Sequence, residues 1–197
     1  MTEFATPIGT LVLCDTQQLF FGCRDAYGPT MRTDFKKLKE LIEAQLTEDP
    51  PHSWADFQAY VMAYQNYNVS NFTAMLKHFN YSIKKKDVAT YETSGRGSNT
   101  KEHSCSTEII ADAVIKQDRY QRFIFITGEG GILHAVRTLK TASKSIWVVA
   151  FPGSLNQSLA AEVDRTILLS ENIVWTPTQE RTMQAKREGA KDEVQGV

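Results

Sequence analysis

RFIFITGEGGILHAVRTLK, residues 122–140, is the stretch on which the fold turns. RFIFIT (122–127) is a continuous apolar run, too short for a helix and rich in Phe and Ile. That pattern predicts a strand buried on both faces. GEGG (128–131) follows as a tight turn, and residues 132–140 place Ile132, Leu133, Val136 and Leu139 at helical spacing. Strand, glycine turn and helix in that order form one arm of a parallel α/β sheet.

The same grammar extends outward. TLVLC (10–14) is a second fully buried strand and ends at Asp15. Residues 34–46 predict a helix with Asp34 as its N-cap, and EDPP (48–51) breaks the chain before the strand-like FQAYVMAY (57–64). Asn71 heads a helix through Phe72, Met75, Leu76 and Phe79, and residues 81–91 predict a strand containing Lys84, Lys85 and Lys86. SGRGSNTKEH (94–103) is polar and glycine-rich, hence a loop, and STEIIADAVIK (106–116) is a helix. SIWVVAF (145–151) is a further buried strand, Ser154 caps a short helix to 161, and residues 165–169 suggest a last short strand. The expectation is a three-layer α/β fold, with a mostly parallel sheet of five or six strands and helices on both faces. It occupies 7–175, followed by a polar tail at 176–197.

The chain has 197 residues, with 22 Lys+Arg against 23 Asp+Glu and a net charge of -1. That length suits one domain with an appendage, and its core needs no staples. No global basic field marks a nucleic-acid or membrane partner, so any such contact has to be a local patch. Hydrophobic content of 42% excludes wholesale disorder. Cys14, Cys23 and Cys105 show neither CxxC nor zinc spacing, which excludes a disulfide scaffold and a zinc module. No apolar run reaches membrane-spanning length, and residues 1–10 lack the charged start and apolar centre of a signal peptide. A cytoplasmic protein with reduced thiols and no membrane partner is expected.

In open parallel sheets, ligands bind beyond the carboxyl ends of the strands. Asp15 and Glu129 stand there, after the first and fourth strands. If those strands are adjacent, two carboxylates about 6 Å apart repel by roughly 3 kcal/mol at an effective dielectric of about 20. A divalent cation reverses that repulsion, so Asp15 and Glu129 are candidate Mg2+ ligands, with Thr127 and Gln18 as polar neighbours and Asp164 farther off. The competing reading makes each acid a helix cap or a solvated side chain. The GEGG turn offers backbone N–H groups to a phosphate at Gly130, but Leu133 stands where GxGxxG needs its last glycine, which argues against a dinucleotide site. Lys84, Lys85, Lys86, Arg96 and Lys101 form the densest basic stretch, with Tyr81 and Tyr91 nearby, and suit a single-stranded nucleic acid. Lysines on an edge strand also block aggregation, which explains the triplet equally well. Tyr60 and Tyr64 read as core, Tyr67 as a loop residue near the cleft, and His103 and His134 have no partner at metal or triad spacing.

These segments, in this order, resemble the NYN branch of the PIN-like ribonuclease superfamily, the group that includes LabA-like proteins. VLCDTQQLF resembles its opening strand, Asp and Asn-Leu; NFTAMLKHFNYSIKKK resembles its helix and next strand. STEIIADAV resembles its helix with two Asp, FIFITGEGGILHAVRTL its acidic glycine turn, and SIWVVAFPGSLNQSLAAEVDRTIL its closing segment. The resemblance implies strand order 3-2-1-4-5, which puts Asp15 beside Glu129, and an acidic Mg2+ or Mn2+ site that hydrolyses RNA. Carried over by position, Asp15 and Asp112 are kept, the family's Asn is Gln18, its helix-start Asp is Ser106, and its turn acids are Glu129 and Gly131. A second register sets Lys101 and Ser104 against the family's Lys and Asp.

An ideal helix places Ser106 with an inward stripe of Ile110, Ala113 and Val114, over the sheet edge. Asp112 then lies about 120° round and about 9 Å along, pairing with Glu108 on a solvated face. The leading expectation is an RNA-directed ribonuclease with a depleted acidic site: Asp15 and Glu129 hold the metal, and Asp112 sits in its outer shell. The alternatives are an inactive relative that binds RNA or a protein partner, a homodimer included, and a cysteine hydrolase using Cys105. The last rests on a resemblance of DTQQLF to isochorismatase-like enzymes.

Overall fold

The computed structural model describes residues 9–47, 54–64, 68–88 and 104–176. In chain order the first half holds β1 (Gly9–Asp15), α1 (Thr16–Tyr27), β2 (Arg32–Thr33), α2 (Phe35–Thr47), β3 (Trp54–Tyr64), α3 (Ser70–His78) and β4 (Ser82–Val88). The second half holds α4 (Ser106–Ile115), β5 (Arg122–Ile126), α5 (Leu133–Thr141), β6 (Ser145–Ala150), α6 (Gln157–Glu162), β7 (Arg165–Leu168) and β8 (Val174–Trp175).

Six strands make one sheet in the order β4-β3-β1-β5-β6-β7, each paired in parallel with its neighbours. β1 and β5 lie at its centre and are buried along their whole lengths, which is why both read as unbroken apolar runs. Alternate residues feed two cores. Val12, Cys14, Ile124 and Ile126 pack against Leu19 of α1, Leu38 and Ile42 of α2 and Leu76 of α3. Leu11, Leu13, Phe123 and Phe125 pack against Ile109 of α4, Val136 and Leu139 of α5 and Leu159 of α6. The result is the expected three layers, with the expected strand order and the short β7 added at the edge.

Several local expectations are corrected. TQQLFFGCRDAY, for which no element was expected, is α1, capped by Asp15. β2 and β8 form an unforeseen antiparallel ribbon outside the main sheet. Asp34 caps α2 as expected, its Oδ1 accepting from the Lys36 and Lys37 N–H groups. The cap of α6 is Asn156 rather than Ser154, because the Asn156 side chain accepts from the Leu159 N–H. α3 begins at Ser70, so Asn71 lies inside its first turn; Asn68 Oδ1 accepts from the Ser70 N–H instead. The buried stripe of α4 is Cys105, Ile109 and Ala113, not Ile110 and Val114, and this rotation decides where Ser106 points. Among the described residues no helix is long and apolar enough to cross a membrane. Apart from Thr176, the expected polar tail lies outside the described residues.

Candidate active site

Parallel register fixes the first acid. Cys14 pairs with Ile126, the last such pair between β1 and β5, so Asp15 is the next residue out at the carboxyl end, on a level with Thr127. Its carboxylate is fully buried. Oδ1 accepts from the backbone N–H of Gln17 at 3.0 Å and of Gln18 at 3.1 Å, capping α1. Oδ2 accepts from the Cys105 N–H, also at 3.1 Å, at the start of α4. Burial pushes the Asp15 carboxyl above its ordinary range, and the Glu129 charge adds to the rise. The N–H groups of Gln18, Cys105 and Gln17 pull it back only in part.

Glu129 stands in the turn after β5. Its N–H donates to Thr127 Oγ1 at 3.2 Å. Glu129 Oε2 accepts from the hydroxyls of both Ser104 and Ser106, the latter at 2.6 Å, and those two hydroxyl oxygens lie 2.6 Å apart. The turn is clamped from the other side. A Cβ on Gly128 would lie 2.0 Å from the Ser154 carbonyl oxygen, and the Asn156 N–H donates to the Gly128 carbonyl at 2.8 Å. Only glycine permits that approach. Gly130 lies against the Asn156 side-chain amide in the same way, 2.9 Å from where a Cβ would stand.

The three residues Ser104, Cys105 and Ser106 therefore bridge the two acids, the backbone taking Asp15 and the hydroxyls taking Glu129. Ser106 had been expected over the sheet edge; the rotation of α4 brings it into the site, and Ser104 with it. Whichever register is compared with the NYN pattern, a serine hydroxyl meets Glu129. Gln18 contributes its N–H to Asp15, and its side chain is half-buried.

Other candidates fall elsewhere. Asp112 is not on a solvated face: its carboxylate accepts from the Tyr60 hydroxyl at 2.5 Å and pairs with Lys116 at 3.3 Å and Lys84 at 3.6 Å. Burial works against its charge, but these partners outweigh it and hold the Asp112 carboxyl below the usual range. Lys86 pairs with Glu108 and Lys85 with Asp87, so all three lysines of β4 face carboxylates, on the edge strand. Asp164 accepts from the Ile146 N–H at the beginning of β6, at the opposite end of the sheet from Asp15. The Cys105 thiol is fully buried in the core, which leaves it inaccessible as a nucleophile. Arg96, Lys101, Tyr67, Tyr91 and His103 lie outside the described residues.

The donor set was tested against a divalent cation. A carboxylate offers about four acceptor sites. Three N–H groups occupy Asp15 and two hydroxyls meet Glu129. What remains is hard oxygen, presented to solvent by Glu129 while Asp15 stays buried, and its chemistry suits at most one hydrated Mg2+ or Mn2+ rather than a two-metal clamp. Among the described residues no group of three or more His, Cys, Asp or Glu is placed to share an ion.

A three-layer parallel α/β domain, with acids closing its two central strands, is the arrangement that the resemblance to PIN-like proteins implies. The NYN domain model matches residues 9–170, and the chain belongs to that family, whose PIN-like nuclease relatives generally depend on divalent metal. A crystal structure of a protein of unknown function, VPA0982 from Vibrio parahaemolyticus RIMD 2210633, is similar at a TM-score of 0.70 and 18% identity. That match covers 88% of this chain and 100% of the other, and it supports the fold alone. No curated protein matches the chain.

Proposed function

We propose that this NYN domain is an RNA-directed hydrolase of the ribonuclease type, working through a reduced, single-ion acidic centre. The observation that carries the proposal is the joining of Asp15 and Glu129, from neighbouring central strands, through one short segment at the head of α4. Asp15 and Glu129 would hold the ion, and the ion would supply an activated water and offset charge developing on the phosphate. The chain's own residues do the rest. Ser104 and Ser106 orient Glu129 and disperse its charge by donating to one of its oxygens. The turn after Glu129, at Gly130 and Gly131, would present backbone N–H groups ahead of α5, suited to a phosphate. Gly128 and Gly130 hold that turn against the loop before α6, so the donors stay fixed.

A second reading has its own support. Asp15 is wholly buried with both oxygens engaged, and serine or glycine stands at two positions where the family resemblance calls for acids. A domain so altered binds RNA without cutting it. One experiment separates the two: incubation of single-stranded and structured RNA with the protein in Mn2+, and again with a chelator. Cleavage that requires Mn2+ and disappears in Asp15→Asn and Glu129→Gln supports the first reading. RNA binding with no Mn2+-dependent cleavage supports the second, and cleavage that survives both substitutions refutes the acidic centre.

A further inference from the structure

α1 carries a feature that the acidic centre does not use. Asp15 caps this helix, and Gln17, Phe20, Phe21 and Arg24 follow at the spacing that aligns side chains along one face. The opposite side is spoken for: Leu19 and Cys23 enter the core, and Gly22 lies against Ser154 of the loop before α6. On the outer stripe the Phe20 and Phe21 rings meet edge to face, centroids 5.4 Å apart. The Arg24 guanidinium lies over the Phe21 ring at 4.8 Å, and the Arg32 guanidinium over the Phe20 ring at 5.1 Å. Arg32 is fixed there by donating to the Pro29 and Met31 carbonyl oxygens at 2.9 and 2.8 Å. Phe20 is nonetheless 38% exposed, a large apolar ring left facing water.

We propose that this Phe20/Phe21 pair with Arg24 and Arg32 is a base-stacking platform that holds single-stranded RNA next to the acidic centre. The inference rests on the RNA-directed reading above and supplies its substrate class. Flat rings accept bases of any sequence, and guanidinium groups add cation–π attraction and neutralise phosphate. The Asp25 carboxylate pairs with Arg24 at 2.9 Å, but both side chains are solvent-exposed, so the pair is weak and readily exchanged for phosphate. Continuity with the site favours RNA as the occupant. Phe20 stands five residues beyond Asp15, about 7.5 Å along the helix axis.

The test is fluorescence anisotropy of a labelled oligouridylate with the full chain in chelator, so that nothing is cleaved. Phe20→Leu keeps the apolar area and loses the ring; it should weaken binding by about 5- to 50-fold. Phe20→Trp should retain affinity, and binding to a duplex RNA of equal length, whose bases are already stacked, should not depend on residue 20. Oligouridylate binding that Phe20→Leu leaves unchanged overturns the platform while leaving the RNA-directed reading intact. A change in sedimentation with Phe20→Leu, and none in RNA affinity, marks the patch as a protein interface and overturns the proposal. Failure of the wild-type chain to bind any RNA removes the underlying reading as well.

Discussion

Replacing Asp15 by Ala and by Asn separates what its carboxylate does for the fold from what it does for chemistry. Oδ1 caps α1 through the Gln17 and Gln18 N–H groups, and Oδ2 accepts the N–H of Cys105, a fully buried residue. Losing the cap costs about 1 kcal/mol. Leaving the Cys105 N–H without an acceptor costs a further 1–3 kcal/mol or so. Both replacements also remove a buried charge, a relief equal in the two and hence absent from their difference. Asn caps helices as well as Asp does, whereas Ala does not cap at all. Asp15→Asn keeps the cap but turns its amide NH2 on the Cys105 N–H, so it should exceed Asp15→Ala by at most about 1 kcal/mol, or about 2–4 °C in Tm for a chain of this size. Urea denaturation followed by circular dichroism measures the gap, and Mn2+-dependent RNA cleavage should be lost in both variants. An Asp15→Ala variant more stable than Asp15→Asn would refute the capping geometry. Wild-type cleavage by Asp15→Asn would refute the catalytic assignment.

Four other outcomes are expected. Because the folded Asp15 carboxyl is raised, its contribution is fully present below its unfolded value of about 3.9 and is lost as pH rises through the folded value. The stability gap between wild type and Asp15→Asn should thus narrow from acid toward neutral pH in a denaturation series. Asp112→Ala removes the nearer acceptor of the buried Tyr60 hydroxyl, leaving it Gln58 Oε1 at 3.3 Å, and takes the carboxylate from Lys84 and Lys116; it should cost about 1 kcal/mol, while cleavage per folded molecule is unchanged, and a collapse of activity would move Asp112 into the site. Gly128→Ala drives a Cβ into the Ser154 backbone and breaks the Asn156 hydrogen bond, so a loss of about 2–4 kcal/mol and of Mn2+-dependent activity should appear together in melting and cleavage assays. Ser106→Asp sets a third carboxylate against Glu129, and should lower Tm in chelator but raise it more steeply than wild type on Mn2+ titration.

Burial on both faces made the central sheet legible, because the polar residues of β1 and β5 (Thr10, Asp15 and Arg122) stand at the strand ends and leave unbroken apolar runs between them. α1 escaped notice for a related reason: its inward stripe of Leu19, Cys23 and Tyr27 is short and mixed in character, while Phe20 and Phe21 face outward and blur the pattern. The two acids could be read as strand-end residues, and their adjacency needed the strand order that family resemblance supplied. Ser106 was legible as a polar neighbour of the acids and Ser104 as its second-register counterpart, but a small phase error hid their contact with Glu129, since a stripe through Cys105 rather than Ser106 turns the helix by one residue. Asp112 could not be placed from local spacing at all, because its partner Tyr60 is 52 positions away. The lysine triplet looked basic in sequence, but strand alternation sends Lys84 and Lys86 to the acids of α4.

The hydroxyls facing Glu129 change what the centre requires. A site built from three or four carboxylates carries mutual repulsion that only a cation relieves, so such a site is at its least stable when empty. Here Ser104 and Ser106 donate to the second acid, and backbone N–H groups satisfy most of the first. Each anion is thus partly compensated before any ion arrives. Compensation of this kind stabilises the metal-free fold and, by the same amount, reduces what an ion gains on binding. The exchange of acid for hydroxyl therefore predicts a centre whose cation is weakly held, recruited chiefly together with a phosphate. On the proposed RNA-directed reading, RNA affinity at the proposed aromatic platform would then matter more than metal affinity for assembling the reactive complex.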